Sequence, residues 1–346
     1  MSMFHTPSTL PAPAEVTPVH KFPLPPEGRQ FRPSYVGGRY SLPDPVTGKK
    51  DRYTRVTTGA KTLDDTTGLD IWKTGNVVLG LKQHPELLDR LDLWADPADV
   101  RRQVRKISTQ AQELAGANEA SELGTAIHAW TEAVERDGLD PAEVPTMFRP
   151  YVDAYLAALA EHGIQTVPDM VERIVLHAGS GWVGTLDRVY ELADGTRVIG
   201  DVKTSKTLQY GYLSFAVQLT TYATADYMLS LDGTTWEPMP PVGDVFAVIA
   251  HLPSNAPGRC EMVTIDLQAG RHALELAREV HTVRAEAGKA IPGRHALPRP
   301  GLESKVLACT TQAELAQLWQ KHAAEWTPEL TQLGMVRLQE LAAGQG

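Results

Sequence analysis

Two aspartates and a lysine in the middle of the chain have the residue types and spacing of a hydrolytic metal site. Asp187 ends the tetrad Gly184-Thr185-Leu186-Asp187, and Asp201 and Lys203 stand two residues apart in a segment rich in β-branched side chains. Successive strand residues point to opposite faces, so Asp201 and Lys203 are expected to project to the same side. A carboxylate that holds a divalent ion and an ammonium group that stabilises developing negative charge suit phosphodiester hydrolysis.

The turn between the two segments decides whether the aspartates meet. A three-residue loop at 193–195 with a left-handed glycine pairs Leu192 with Thr196. Counting five residues outward then sets Asp187 directly opposite Asp201, with Cβ atoms roughly 4.5–5.5 Å apart. Like charges this close favour a bound cation, and their oxygen ligands favour Mg²⁺ or Mn²⁺. A turn one residue shorter would separate the aspartates onto opposite faces, and an exposed hairpin with a surface salt bridge is the alternative without chemistry.

Further residues follow in an order that resembles the PD-(D/E)XK nuclease superfamily, and within it the RecB-type exonuclease branch. The matching segments are Gly124-Thr125-Ala126-Ile127-His128, Glu172, Gly184-Thr185-Leu186-Asp187, Asp201-Val202-Lys203 and Gln218-Leu219-Thr220-Thr221-Tyr222. The resemblance spans residues 122–252 and implies an α/β restriction-endonuclease-like core, with a mixed central sheet flanked by helices. It also implies a free-standing, metal-dependent DNA exonuclease similar to those of bacteriophage recombination or replication modules.

The resemblance implies a role for each matching residue. The implied metal ligands are His128, Asp187, Asp201, the backbone carbonyl of Val202 and Glu172. Lys203 is the implied catalytic residue, expected to orient the attacking hydroxide or to stabilise negative charge, and the catalytic group also includes Asp187, Asp201 and Glu172. Gln218 and Tyr222, four apart on one helix face, resemble the pair that positions the lysine and the DNA strand. Outside this resemblance, His128 and Tyr222 are equally typical of packed core residues.

Basic residues outside the motifs are candidate phosphate contacts. They are Arg52, Arg55, Lys61, Arg101, Arg105 and Lys206. Arg101 and Arg105 are four apart and share one side of a predicted helix. Such runs are equally typical of a solvated surface, so both interpretations stay open.

The pattern along the chain predicts four parts. They are a proline-rich, partly basic extended arm at 1–61, a helical segment at 62–118 as a candidate DNA passage, the nuclease core at 119–290, and a helical appendage at 291–346. In the core, the predicted helices are 121–136, 150–162, 212–231 and 268–288, and the predicted strands are 169–177, 182–192, 196–203, 244–252 and 261–267. We expect a sheet of four or five strands.

Composition excludes several classes of protein. The 346 residues carry 33 Lys and Arg against 42 Asp and Glu, a net charge of −9, which argues against coating nucleic acid by charge alone. Two cysteines exclude a disulfide framework, a four-cysteine zinc site and a cysteine-ligated iron–sulfur cluster. The sequence has no P-loop motif, so no ATP site of that kind is predicted. It has no signal-peptide or membrane-span pattern, so we expect a cytoplasmic protein, in a bacterial host if phage-encoded.

DNA is the expected partner, and a single-strand annealing or recombination protein is a further candidate. Two alternatives to the exonuclease remain, because a fold does not determine a substrate. One is a structure-selective endonuclease on the same fold. The other is a catalytically silent DNA-binding accessory protein of a recombination complex.

Overall fold

The computed structural model of the chain describes residues 22–26, 31–291 and 301–343. Its strands are β1 (Ser34–Val36), β2 (Arg39–Pro43), β3 (Lys50–Arg55), β4 (Gln165–Thr166), β5 (Arg173–His177), β6 (Trp182–Leu186), β7 (Arg188–Glu191), β8 (Arg197–Lys203), β9 (Tyr227–Leu229), β10 (Trp236–Pro238), β11 (Phe246–His251) and β12 (Glu261–Asp266). Its α-helices are α1 (Val56–Ala60), α2 (Thr67–Gln83), α3 (Pro97–Leu114), α4 (Glu119–Arg136), α5 (Arg149–Glu161), α6 (Tyr212–Ala223), α7 (Leu267–Ala290), α8 (Leu302–Ala308), α9 (Gln312–Lys321) and α10 (Pro328–Ala343). These elements fall into two compact units, residues 1–284 and residues 285–346, and the candidate site residues all belong to the first.

Two mixed sheets form the first unit, and the chain passes from one to the other at Asp187. The strand order is β1-β2-β3-β6-β5-β9-β10 in one sheet and β12-β11-β8-β7-β4 in the other. β6 ends at Leu186 in the first sheet, and β7 begins at Arg188 in the second. Parallel pairing joins β3 to β6 and β8 to β11. The expected α/β class with mixed pairing and flanking helices is confirmed, although as two sheets rather than one of four or five strands.

The hairpin that joins β7 to β8 has the three-residue loop that the sequence predicts. Gly195 is left-handed, with φ of 83°. The Leu192 N–H donates to the Thr196 carbonyl at 2.8 Å. The ladder continues to Arg188 opposite Gly200, so the next position outward sets Asp187 beside Asp201. The turn chemistry therefore determined the register on which the candidate site depends.

Both faces of β8 are covered, which explains why apolar residues occupy both odd and even positions of the strand. Val198 and Val202 pack in one apolar cluster with α4 and α5. Ile199 packs on the other face, in the cluster that includes α6. Asp201 and Lys203 have the same parity as Ile199, so they lie on the α6 side of the sheet.

Residues 34–55 differ from the predicted extended arm, because they form the strands β1, β2 and β3. Tyr40, Leu42 and Tyr53 are buried in an apolar cluster with residues of β5, β6 and β9. This burial ties the segment into the seven-stranded sheet, and β3 joins it in parallel to β6. Residues 1–21 and 27–30 of the predicted arm lie outside the described residues.

The helix predicted at 212–231 ends at Ala223, and the chain then forms the hairpin of β9 and β10. The backbone of Asp226 donates to the Leu176 carbonyl at 2.9 Å, and its carboxylate accepts from the Ala178 N–H at 2.6 Å. These bonds hold the chain beside β5. The helical continuation is lost because β9 adds to the edge of β5 instead.

The helical segment predicted at 62–118 is a hairpin of α2 and α3 with a small core of its own. Leu87, Ile107 and Ala111 form that core. Asp96 caps the N-terminus of α3, and its carboxylate accepts a hydrogen bond from the Ala98 N–H at 2.8 Å.

In the second unit, α8, α9 and α10 surround a cluster formed by Val306, Cys309, Leu315 and Leu330. Residues 292–300 and 344–346, which the sequence analysis assigned to a helical appendage, lie outside the described residues. Across the part of the chain that is described, no helix combines the length and apolar character needed to span a bilayer.

Candidate metal and nuclease site

The backbones of Asp187, Asp201 and Glu172 come together where the two sheets meet. Asp187 is between the sheets, Asp201 is its cross-strand neighbour on β8, and the Glu172 N–H donates to the Asp187 carbonyl at 2.9 Å. Glu172 was predicted to lie within a strand, but it immediately precedes β5. Among the described residues it is the only non-glycine with positive φ, at 56°. Such a conformation is costly for a residue with a side chain and often occurs at functional sites.

Asp201 and Lys203 share one face of β8, as predicted. Asp201 is fully buried, and its Oδ2 lies 2.5 Å from Lys203 Nζ. Neither carboxylate oxygen of Asp201 has a hydrogen-bond partner of good geometry among the described residues. The Lys203 ammonium also lies 5.2 Å from the centroid of the Phe215 ring on α6. A buried carboxylate whose one close partner in the described part of the chain is an ammonium group has capacity left for a cation.

His128 reaches the carboxylates from α4. Its Nδ1 lies 3.6 Å from Asp187 Oδ2, and the same oxygen accepts the Val202 N–H at 3.1 Å. Gly124, one turn before His128, allows α4 to approach the end of β8, because a Cβ at this position would clash with Thr204 Oγ1. The glycine of the Gly-Thr-x-x-His segment therefore sets the distance between helix and strand.

Gln218 and Tyr222 lie on α6, but Tyr222 is a packing residue. It is 1% exposed, and a Cβ added to Gly184 would lie 2.6 Å from its ring. Gln218 Nε2 donates to the Tyr222 hydroxyl at 3.4 Å. The glycine of the Gly-x-x-Asp segment is thus needed for the close approach of Tyr222. Since Tyr222 is buried, the structure favours the core interpretation over direct contact with a DNA strand.

Burial and neighbouring charges shift the pKa values of the site residues in different directions. Burial, with the nearby Asp187 charge, raises the pKa of Asp201 to about 7. Burial and Glu132 raise the pKa of Glu172 well above its ordinary value. Burial also acts on Asp187, but His128, Lys203 and Arg188 together hold its pKa below the ordinary value. Loss of hydration lowers the pKa of His128 to about 4, so its imidazole is neutral at pH 7 and able to bind a metal.

Sequence reasoning missed three charged residues of the site. Glu132 is one helical turn after His128, and its Oε1 lies 4.0 Å from His128 Nδ1. The i, i+4 spacing from His128 was a signal that could have found it. Arg188 and Glu135 form a buried ion pair next to Asp187. Their separation of 53 residues leaves no local signal in the sequence.

The residues present fit a divalent cation by their chemistry. No three His, Cys, Asp or Glu side chains within the described ranges already converge closely enough to hold an ion. The donor set is nevertheless rich in oxygen, with a neutral imidazole beside it, and this set suits Mg²⁺ or Mn²⁺. The observation that supports this fit is the spare acceptor capacity of the Asp201 oxygens, whose close partner within the described ranges is the Lys203 ammonium group.

A cavity of about 310 Å³ adjoins the carboxylates on the Glu172 side. Its lining residues are Phe31, Arg32, Pro33, Tyr35, Glu132, Arg136, Glu172, Ile174 and Thr185. The guanidinium carbon of Arg55 lies 5.2 Å from the centroid of the Tyr35 ring, so this candidate phosphate contact is close to the cavity wall. Aromatic and basic side chains in combination are typical of surfaces that bind single-stranded nucleic acid.

The other candidate phosphate contacts are exposed and separate from the carboxylates. They are Arg52 on β3, Lys61 after α1, Arg101 and Arg105 on α3, and Lys206 after β8. Within the described residues, no hydrogen bond or ion pair connects any of them to the site. Their contribution to DNA binding stays a prediction.

The chain matches no profile of a protein family, and a search of curated proteins found no match to its sequence. The functional interpretation therefore depends on the geometry and charges of the site.

Proposed function

We propose that the chain is a metal-dependent DNA exonuclease of the PD-(D/E)XK type and its RecB-like branch. The observation that carries this proposal is the fully buried Asp201, opposite Asp187 and in contact with the Lys203 ammonium group, with no further donor to its oxygens among the described residues. Burying two neighbouring carboxylates is costly, and a bound cation is one arrangement that offsets this cost.

The proposal gives each nearby residue a role. The metal-holding groups are the side chains of His128, Asp187, Asp201 and Glu172 and the carbonyl of Val202. A divalent ion bound there would polarise the phosphoryl group and acidify water. Asp201 holds Lys203, whose ammonium group is positioned to stabilise negative charge that develops on the phosphoryl oxygens. The Val202 N–H fixes Asp187 in orientation.

Two further features support DNA as the substrate. The cavity beside Glu172 is lined by an aromatic residue of β1, Tyr35, and by Arg32, which precedes that strand. Each chain carries one set of the candidate residues, which suits hydrolysis of one strand at a time from an end. A single-strand annealing or recombination protein as partner remains part of the proposal.

The test uses end-labelled linear DNA and closed circular DNA, each with Mg²⁺, with Mn²⁺ and with EDTA. We expect short products from the linear DNA with either ion, resistant circles, and no cleavage in EDTA. The Asp201→Ala variant should be inactive, and Glu303→Ala, in the similarly spaced Glu303-Ser304-Lys305 triplet, should be active. Rapid linearisation of circles that Asp201→Ala abolishes would identify an endonuclease instead. Tight DNA binding without any cleavage would identify the silent accessory protein.

A further inference from the structure

An exposed aromatic side chain lies on β1, at the edge of the seven-stranded sheet. Gly37 and Gly38, with φ of 60° and 76°, form the two-residue turn between β1 and β2, a turn that suits the twist of a hairpin. This turn sets Tyr35 directly opposite Tyr40. The centroids of the two rings are 4.8 Å apart, with 35° between the ring planes. The cross-strand pair therefore fixes the Tyr35 ring in position.

Tyr35 differs from the neighbouring tyrosines in burial. Tyr40 and Tyr53 are 4% and 8% exposed and belong to the apolar cluster of this sheet. Tyr35 is 53% exposed and lies outside that cluster. Within the described residues β1 is an edge strand, so no further strand covers its ring. The core thus uses the other two tyrosines and leaves much of Tyr35 accessible to a ligand.

Two arginines accompany the exposed ring. The guanidinium carbon of Arg55 lies 5.2 Å from the centroid of Tyr35 and 6.0 Å from that of Tyr40. Arg32, three residues before Tyr35, lines the same cavity. In the part of the chain that the structure describes, neither arginine forms an ion pair with a carboxylate. Cations beside an exposed aromatic ring suit a ligand that combines a flat ring with phosphate groups.

The ring lies close to the candidate metal site. Tyr35 and Glu172 line one cavity of about 310 Å³. The Tyr40 hydroxyl, which belongs to the ring packed on Tyr35, is 3.2 Å from Thr185 Oγ1. Thr185 is two residues before Asp187 in the chain. A nucleotide placed on Tyr35 would therefore be next to the carboxylates that are proposed to act on the DNA backbone.

The charges of the cavity wall indicate which part of a nucleotide enters it. Glu132 and Glu172 line the cavity and disfavour an anionic phosphate inside it. Arg136, also in the lining, is already paired with Glu132 and Asp137. An uncharged base meets no such repulsion. The base is thus the part that suits the Tyr35 side of the cavity, with its phosphates outside.

We propose that Tyr35 is a stacking residue for an unpaired base of single-stranded DNA, and that Arg32 and Arg55 bind phosphates adjacent to that base. A base within a duplex is already stacked on its neighbours, so the substrate class is single-stranded DNA or a frayed end. The proposal rests on the proposed function, since it assumes that DNA is the ligand of this site.

The experiment pairs variants of the ring with removal of single bases. Tyr35→Leu removes the flat ring, and Tyr35→Phe retains it. Trp319→Leu on α9 is the control, because Trp319 is an aromatic residue with the same 53% exposure in the second unit. The probes are short single-stranded oligonucleotides, either intact or with one abasic position, moved along the strand in turn. Dissociation constants are measured by anisotropy in EDTA, so that the DNA stays intact.

We expect Tyr35→Leu to bind the intact oligonucleotide roughly 5- to 100-fold more weakly than the wild type. Tyr35→Phe and Trp319→Leu should bind it as the wild type does. One abasic position should weaken wild-type binding by a similar factor and leave Tyr35→Leu unaffected, because the ring and that base form one contact. A ring that only packs on Tyr40 would give no such coupling to a single position.

Two results overturn the assignment of Tyr35. One is a Tyr35→Leu variant that keeps the wild-type affinity or the wild-type sensitivity to every abasic position. The other, which decides if Tyr35→Leu does not fold, is a wild type whose affinity is the same whichever base is missing. If linear DNA is still cleaved with Mg²⁺ in that case, the proposed function stands and only the stacking contact is wrong. A wild type that neither binds nor cleaves DNA would refute both.

Discussion

The Asp201→Asn substitution should stabilise the metal-free protein at high pH and abolish its response to metal. The folded-state pKa of Asp201 is about 7, against an ordinary value of 3.8, and burial followed by the Asp187 charge is the cause. A raised carboxyl pKa means that the folded state binds the proton more tightly than the unfolded state does. The contribution of Asp201 to stability is therefore fully present below the unfolded pKa and is lost as pH rises through about 7.

The linkage between these two pKa values gives the size of the effect. Between pH 8 and pH 5 the wild type should gain about 2–3 kcal/mol from Asp201 that Asp201→Asn cannot gain. In EDTA, Asp201→Asn should therefore exceed the wild type in stability by the widest margin at pH 8. This margin should shrink by about 2–3 kcal/mol between pH 8 and pH 5. With Mn²⁺ at pH 8 the order should reverse, because only the wild type retains the charged ligand.

Urea unfolding at several pH values between 5 and 8, with EDTA and with Mn²⁺, measures both effects. The control is Asp153→Asn, the same substitution on the exposed face of α5. The reasoning is refuted if the difference between the wild type and Asp201→Asn does not change with pH. That outcome would mean that Asp201 carries no excess charge for a cation to neutralise.

Three further predictions concern catalysis, DNA binding and packing. Lys203→Met should lower kcat by about 10²-fold or more with little change in DNA affinity, whereas Lys305→Met should cleave at the wild-type rate. The triple alanine variant at Arg52, Arg55 and Lys61 should weaken DNA binding at all sequences, and its salt dependence, measured by anisotropy, should be flatter by roughly 0.7–0.9 per lost phosphate contact. Gly184→Ala should cost about 1–3 kcal/mol in urea unfolding because it forces the Tyr222 ring to move, and an unchanged midpoint would contradict that contact.

Local chemistry was sufficient to predict the centre of the site. The left-handed Gly195 and the three-residue loop determine the pairing of β7 with β8. Turn geometry left a shorter turn open in the sequence, and the chemistry expected of two facing carboxylates favoured the three-residue loop. The prediction that Asp201 and Lys203 project from the same face of β8 followed from the two-residue period of a strand. Helix bounds of α4 and α5 were within two residues of the prediction because their apolar spacing and terminating glycines are local.

Features that depend on distant pairing were not predictable. Because the segment is rich in proline and arginine, the alternating buried positions Tyr40 and Leu42 were not recognised as part of a strand. Their burial depends on β5 and β6, more than a hundred residues later in the chain. The left-handed backbone of Glu172 follows from its bond to Asp187 and not from the Val171-Glu172 sequence. Tertiary context thus decided both the first strands and the conformation of one candidate ligand.

The change of sheet at Asp187 explains why the candidate site needs so much of the first unit. Leu186 is the last residue bonded to β5, and Arg188 is the first bonded to β8, so the residue between them is held from both sides. Glu172 approaches Asp187 from the first sheet, and Asp201 approaches it from the second. His128 and Glu135, the ion-pair partner of Arg188, both lie on α4. A shift of either sheet or of α4 would separate the carboxylates by ångströms, and misplacement of about 1 Å can cost 10²-fold in rate. The buried Arg188–Glu135 pair joins that helix to the second sheet at the residue next to Asp187, so its rigidity bears directly on the spacing of the proposed ligands.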